Sequence, residues 1–270
     1  MQRLGKNTGG YCGETIDIQS VLRDALLAAA RHGWQEQTLL DRPDLTLAAL
    51  HRPASSIGHP ASSIEHPASP LRRLYLSTGI HGDEPAGPLA VRQLLQENRW
   101  PDHVSLWLCP CLNPTGFPLN RRENARGQDL NRQYHQPDQA DEVRAHVAWL
   151  KAQPAFDLSL CLHEDWESNG FYLYELNPDQ QPSLAERIIE QVASVCPIDK
   201  SDKIEGRPAK GGIIRPDTDP LSRPQWPEAF YLLRNKTRLS YTFEAPSDFP
   251  LPVRVKALIT AVSVVLESLS

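Results

Sequence analysis

Short apolar runs bounded by turn residues alternate along this chain with segments of helical period, a pattern that predicts an α/β domain. Leu74-Tyr-Leu-Ser-Thr-Gly-Ile80, Val104-Ser-Leu-Trp-Leu-Cys109, Phe156-Asp-Leu-Ser-Leu-Cys-Leu-His163, Phe171-Tyr-Leu-Tyr-Glu-Leu176 and Leu239-Ser-Tyr-Thr-Phe-Glu244 read as buried strands. Residues 38–40 and 45–50 read as two earlier ones. Helical spacing is found over 20–32, ended by Gly33, and after Pro85, where Ala86, Leu89, Ala90, Leu94 and Leu95 share a face. It returns from about 137 to 153 with Val143, Val147 and Leu150, then over 183–194, and from about 251 to 268 with Val255, Leu258, Ile259, Val262 and Val265. Proline suits a first helical position and glycine a helix stop, so Pro85 and Gly33 support those ends.

Two stretches lack either period. Between Pro53 and Pro70 an imperfect heptad repeat, Pro-Ala-Ser-Ser-Ile-Gly-His followed by Pro-Ala-Ser-Ser-Ile-Glu-His, carries too much proline for a ladder or a helix and reads as an exposed, duplicated loop. Its neighbourhood holds His51, His59 and His66, which the repeat explains without a metal. Residues 199–228 are rich in Pro, Gly and charge, which in a compact domain suggests functional loops over a site. Asp217, Asp219 and Glu228 there are candidates for a pocket that takes a basic group, although acidic residues in a charged loop are ordinarily solvated.

Composition narrows the class. With 270 residues, 40% of them hydrophobic, the chain can bury one large core, and a single domain over 1–270 is expected. A formal charge of -5 supplies no basic field for nucleic acid. No apolar run approaches the roughly 18 residues of a transmembrane helix, and the first residues lack the apolar centre of a secretory signal. Five cysteines make an odd count that suits a reducing, cytoplasmic setting rather than a disulfide framework. Cys109 and Cys111, flanking Pro110, read as buried structural thiols.

Candidate chemistry gathers at strand ends. His81 follows one buried strand and Glu84 opens the next helix, the crevice position where open α/β sheets place ligands. An imidazole and a carboxylate so spaced can share one zinc ion, which in catalytic sites usually takes three protein ligands and a water. His163 ends a second strand, 79 residues after Glu84, and parallel strand ends share one edge, so the three can converge. Glu244 ends the last strand facing the same crevice. The segment 120–132 is too polar for core and holds four arginines. Its Asn131-Arg132 pairs an amide donor with a planar two-pronged cation suited to a carboxylate.

His81-Gly-Asp-Glu84, Asn113-Pro-Thr-Gly116, Arg122-Glu-Asn124, Asp129-Leu-Asn-Arg132, His163 and Thr242-Phe-Glu244 stand in the order found in zinc carboxypeptidases of the carboxypeptidase A superfamily, and the resemblance covers about 72–265. The short Arg122-to-Asn131 spacing looks most like the compact bacterial branch that includes murein peptide amidases. Succinylglutamate desuccinylases and aspartoacylases are more distant relatives, through His-Gly-x-Glu, Asp-Leu-Asn-Arg and Glu142-Val-Arg144. The resemblance implies a three-layer α/β/α fold with a mixed, mostly parallel eight-stranded sheet. It implies one zinc held by His81, Glu84 and His163, with Glu244 as general base and Arg122 steadying the oxyanion. Asn131 and Arg132 would grip the terminal carboxylate of a peptide substrate, or of a small acylated amino acid in the deacylase alternative. A non-catalytic peptide-binding relative is the other competing class. Two features depart from the family pattern: Gln133-Tyr134 follows the Asn-Arg pair, and Glu164-Asp165 follows His163. The mobile tyrosine of the digestive enzymes has three candidates, Tyr172, Tyr174 and Tyr231.

Overall fold

The computed structural model describes residues 15–55, 72–216, 219 and 222–269. Residues 56–71, which hold most of the Pro/Ser repeat with His59 and His66, and Asp217 lie outside them.

The expected three-layer arrangement is present. Ten strands are described: β1 (Gln35–Arg42), β2 (Leu45–Arg52), β3 (Arg72–Thr78), β4 (Val104–Cys109), β5 (Leu158–Asp165), β6 (Tyr172–Leu176), β7 (Lys203–Ile204), β8 (Arg207–Pro208), β9 (Ile213–Ile214) and β10 (Ser240–Pro246). Eight of them form one sheet in the order β1-β2-β4-β3-β5-β10-β6-β9, and β7 and β8 make a separate hairpin. The centre, β4 to β3 to β5 to β10, is parallel, while β1, β2 and β6 join antiparallel. That parallel block is why its strands read as unbroken apolar runs: all eight residues of β5 are buried.

The helices are α1 (Ile18–Arg31), α2 (Ala86–Glu97), α3 (Asp141–Ala152), α4 (Ala185–Val192), α5 (Glu228–Asn235) and α6 (Leu251–Ser268). One core packs α1, α2, α4 and α6 against one face of the sheet, and a second packs α3 and α5 against the other. The first helix starts two residues before its expected position because the Asp17 carboxylate caps it, accepting from Ser20 N at 3.2 Å. Its end at His32 and Gly33 (φ +76°) matches the expectation. The third helix begins at Asp141 rather than near 137, because Gln133 Oε1 takes the Ala140 N–H at 2.7 Å and Asp141 and Glu142 occupy the first turn.

The β7–β8 hairpin, β9 and the start of α5 lie inside or beside the stretch read as loop. Ile213–Ile214 pairs in parallel with β6 and supplies the eighth strand of the sheet. Helix α5 follows Pro227, and its Ala-Phe-Tyr-Leu-Leu run is buried against the sheet.

Candidate active site

The site forms where β3, β5 and β10 end together. In the parallel register Glu244 lies directly opposite His163, two strands from the turn that carries His81. That turn is stitched to its neighbours by the motifs around it. Asn113 N donates to Gly79 O at 2.8 Å, and Asn113 Nδ2 donates to Ile80 O at 3.2 Å and to Arg122 O at 3.3 Å. A Cβ on Gly82 would stand 2.2 Å from the Gly116 backbone, so only glycine lets the two loops meet. One asparagine and two glycines thus set how far His81 stands from Arg122.

His81, Glu84 and His163 are 2%, 6% and 5% exposed, and a ligand atom from each lies within 4.8 Å of the other two. His81 Nδ1 is 2.5 Å from Glu84 Oε1, and His163 Nδ1 is 3.0 Å from Glu84 Oε2. Burial alone would push the Glu84 carboxyl up, but the two imidazoles facing it hold it well below the usual range. For His81, burial is outweighed by Glu84 and Asp129, which raise it; for His163, burial prevails and lowers it. Two nitrogens and a carboxylate, buried and converging through Nδ1 of both rings, form a donor set that suits a zinc-like cation. His81 Nε2 points away, toward Asp129 Oδ1 at 3.7 Å, just too long for a hydrogen bond. Asp129 is itself held by Arg122, whose Nε donates to Oδ2 at 2.8 Å, and Arg122 Nη1 lies 3.4 Å from His81 Nδ1. Asp129, which the sequence showed only as part of a motif, thus stands behind both His81 and Arg122.

Glu244 has its carboxyl raised well above the ordinary value, first by burial and then by the charges of Glu84, Glu205 and Asp165. The unusual Glu164-Asp165 pair has a structural explanation. Glu164 turns to the opposite side of β5, where Oε1 accepts from Ala86 N at 2.5 Å and Oε2 accepts from Arg254 Nη1. It caps α2, the helix that Glu84 precedes, and satisfies a fully buried arginine on α6. Asp165 accepts from Glu167 N and from the Tyr172 hydroxyl.

These groups open into a cleft of about 370 Å³. Asn131 and Arg132 line it, on a 3-10 turn that Asp129 caps by accepting from Asn131 N at 3.0 Å. Three other arginines are engaged elsewhere: Arg121 with Asn124 O, Arg126 with Asp141, Arg215 with Glu175 and Glu186. Arg207 and Arg223 do line the cleft and were missed, because isolated arginines in an aperiodic loop carry no signal. Of the three tyrosines, only Tyr174 faces the cleft, donating to Glu205 on the β7–β8 hairpin; Tyr172 is tied to Asp165 and Tyr231 is packed in the core. Glu228 does not line the cleft, contrary to its placement among pocket candidates; it is 1% exposed beneath the wall. Asp219 borders a neighbouring hollow. His51 stacks on Trp107 at 4.6 Å between centroids. Four cysteines, 109, 111, 161 and 196, are free and buried.

The eight-stranded mixed sheet, which here carries a His/Glu/His cluster at the carboxyl edge of its parallel block, gives the chain the fold of its carboxypeptidase-like structural neighbours. Residues 70–202 match the succinylglutamate desuccinylase/aspartoacylase catalytic domain family. Carboxypeptidase SOL1 of Arabidopsis thaliana is 34% identical over 113 residues, an alignment covering 31% of this chain and 21% of that protein. The chain therefore spans about a fifth of the curated relative it matches. Among solved structures, a protein assigned as a metallopeptidase from Shewanella baltica superposes with a TM-score of 0.77 at 24% identity, covering 100% of both chains. A metallo-carboxypeptidase from Pseudomonas aeruginosa in complex with (2-guanidinoethylmercapto)succinic acid gives 0.63 at 19% identity, over 93% of this chain and 68% of that one.

Proposed function

We propose that this chain is a single-domain, zinc-dependent hydrolase that cleaves an amide next to a free carboxylate, a metallocarboxypeptidase. The observation that carries the reading is one cleft holding a buried His81/Glu84/His163 cluster, an acidic Glu244 beside it and an Asn131–Arg132 pair along its wall. His81, Glu84 and His163 would hold one zinc, whose charge polarises the scissile carbonyl and makes a water acidic enough to attack near neutral pH. A cation there would also offset the Glu84 charge that now raises Glu244, leaving Glu244 ionised. Glu244 then takes the proton of the attacking water and hands it to the departing amine. Arg122, oriented through its Nε by Asp129, presents Nη1 toward the metal cluster, where it donates to the oxygen that gains charge. Arg132 and the Asn131 amide hold the substrate's terminal carboxylate and so place the amide bond over the cluster. The dicarboxylate bound to the Pseudomonas neighbour supports a site of this kind. The buried free thiols support a cytoplasmic, reducing setting.

A second reading, deacylation of a small N-acyl amino acid, is favoured by the family match over residues 70–202. Peptide cleavage is preferred because Arg122-Glu-Asn124 precedes Asp129-Leu-Asn-Arg132 at carboxypeptidase spacing and Thr242-Phe-Glu244 ends the last strand. The test is metal content followed by chelation and zinc readdition, with turnover screened on peptides, a γ-D-glutamyl-diaminopimelate peptide, N-acetylaspartate and succinylglutamate. Zinc-dependent release of a C-terminal residue is expected. Turnover of the last two compounds alone would select the deacylase, and a protein that holds no zinc and gains nothing from it would end both readings.

A further inference from the structure

Behind the wall that carries Asn131 lies a buried polar network that the proposed chemistry does not use. Glu228 opens α5, and its carboxylate accepts from the Tyr75 hydroxyl at 2.6 Å and from Ser77 Oγ at 2.8 Å, both on β3. The Tyr75 oxygen lies 2.9 Å from His146 Nε2 on α3, and His146 Nδ1 lies 2.8 Å from the Tyr134 hydroxyl. Burial holds His146 down at about 3, so the ring is neutral. With Glu228 ionised, one arrangement of protons satisfies the set: Tyr134 donates to Nδ1, Nε2–H donates to Tyr75, and Tyr75 donates to Glu228. Every donor in the chain then points to this one carboxylate. Burial pushes Glu228 up to about 7, so the site bears a cost that an apolar residue would avoid.

The same residue touches the recognition machinery from behind. Its backbone N–H donates to Asn131 Oδ1 at 2.8 Å. A backbone N–H cannot accept, so the Asn131 amide cannot turn over, and its NH2 is left to face the cleft that Asn131 lines. The Asn131 N–H is meanwhile held by Asp129. Apolar packing of Phe230, Leu232 and Leu233 attaches α5 to the sheet, but hydrophobic burial is non-directional and tolerates small slides and rotations of an eight-residue helix. Two directional bonds from Glu228 to β3 do not.

We propose that Glu228 is a positioning residue for carboxylate recognition: by bonding Tyr75 and Ser77 it pins the start of α5 to β3, and the first N–H of α5 pins Asn131 with its donor toward the substrate. The inference rests on the assignment of Asn131 and Arg132 to the substrate carboxylate. Its test is a binding ratio on the zinc-loaded protein, benzylsuccinate against 4-phenylbutanoate, measured by calorimetry for wild type, Glu228→Gln and Ser77→Ala. The two probes share the ring and the carboxymethyl group that would meet the zinc, so their ratio isolates recognition of the other carboxylate, the one that mimics the substrate's terminus. Glu228→Gln, which puts an NH2 among donors, is expected to lower the ratio about tenfold, and Ser77→Ala about threefold, with zinc stoichiometry and 4-phenylbutanoate affinity unchanged. A merely structural role would lower the melting temperature and leave the ratio alone. Should Glu228→Gln fail to fold, Ser77→Ala and Tyr75→Phe, each removing one of the two bonds, carry the measurement. Variants that keep the wild-type ratio would overturn the positioning role by itself. A wild type without discrimination would overturn the carboxylate assignment, and this inference with it.

Discussion

The cleft has two unlike halves. The half proposed to react, His81, Glu84, His163 and Glu244, stands at the ends of central strands and on the turn that leads from β3 to α2, with the strand register backed by the apolar core. The half proposed to recognise, Arg132, Arg207, Arg223, Glu205 and Tyr174, stands on a 3-10 turn, a two-stranded hairpin, the loop before α5 and β6, next to the edge strand. In the first, His163 and Glu244 are positioned by a ladder that cannot shift by one residue without turning them to the opposite face, and the turn with His81 and Glu84 continues directly from β3 of the same sheet. In the second, positions depend on individual hydrogen bonds, such as Tyr174 to Glu205 and Glu228 to Asn131. Chemistry that must not vary is carried by the sheet. Selectivity, which can vary, is carried by connections.

Substitutions can be used to break that contrast. Replacing Glu244 by Gln in the reacting half keeps shape and removes the base; turnover should fall by about a hundred- to ten-thousandfold with zinc content intact. Equal turnover on any identified substrate would refute the base assignment. Arg132→Ala in the recognising half should cost roughly 2 to 5 kcal/mol of substrate binding, with Arg132→Lys recovering only part because a point charge cannot reproduce the fork. Amidation of the substrate carboxylate should then weaken wild type heavily and the mutant little. A mutant that still tells acid from amide would transfer the role to Arg207 or Arg223.

The wall between the halves predicts a pH signature. Glu228 holds its proton up to about 7 in the folded chain against 4.5 ordinarily, chiefly through burial, so the folded state binds more protons over that interval. Its contribution to stability should therefore be fully present below pH 4.5 and fall by about 3 kcal/mol as pH rises to 7. Asp165, raised by burial to about 6, acts with the same sign, so the difference between wild type and Glu228→Gln in denaturant midpoints against pH isolates Glu228. Parallel curves would contradict its burial as an acid. The smallest expected effect is that of Asp129→Asn, which removes the charge behind His81. Zinc affinity should drop about ten- to a hundredfold, read by competition with a chelator. Unaltered affinity would show that the 3.7 Å contact does not orient the ring.

Much of the reacting half was legible from local pattern. Period-two and unbroken apolar runs located β3, β5 and β10 to within two residues, and a histidine or glutamate after such a run can only stand at the strand's carboxyl end. The family order of motifs pointed to the sheet and to His81, Glu84, His163 and Glu244 as one cluster. Helix α5 stayed hidden because its eight residues follow a long polar stretch, and β9 because two isoleucines are too few to show a period. The structural sense of Glu164 was equally invisible: its partner Arg254 lies 90 positions away on α6.

What the amino-acid order determined by itself was therefore the central strands and the longer helices, the donor types placed at their ends, and the glycines and asparagine that let two loops touch. These follow from short-range sterics, side-chain period and turn chemistry, which are local properties of the chain. Only the tertiary structure decided which tyrosine reaches the cleft, which arginines remain available for a carboxylate, and that Glu228 serves the wall from behind. Those outcomes depend on pairings between residues up to 153 positions apart, and such pairings exist only once the sheet has brought distant strand ends to one edge.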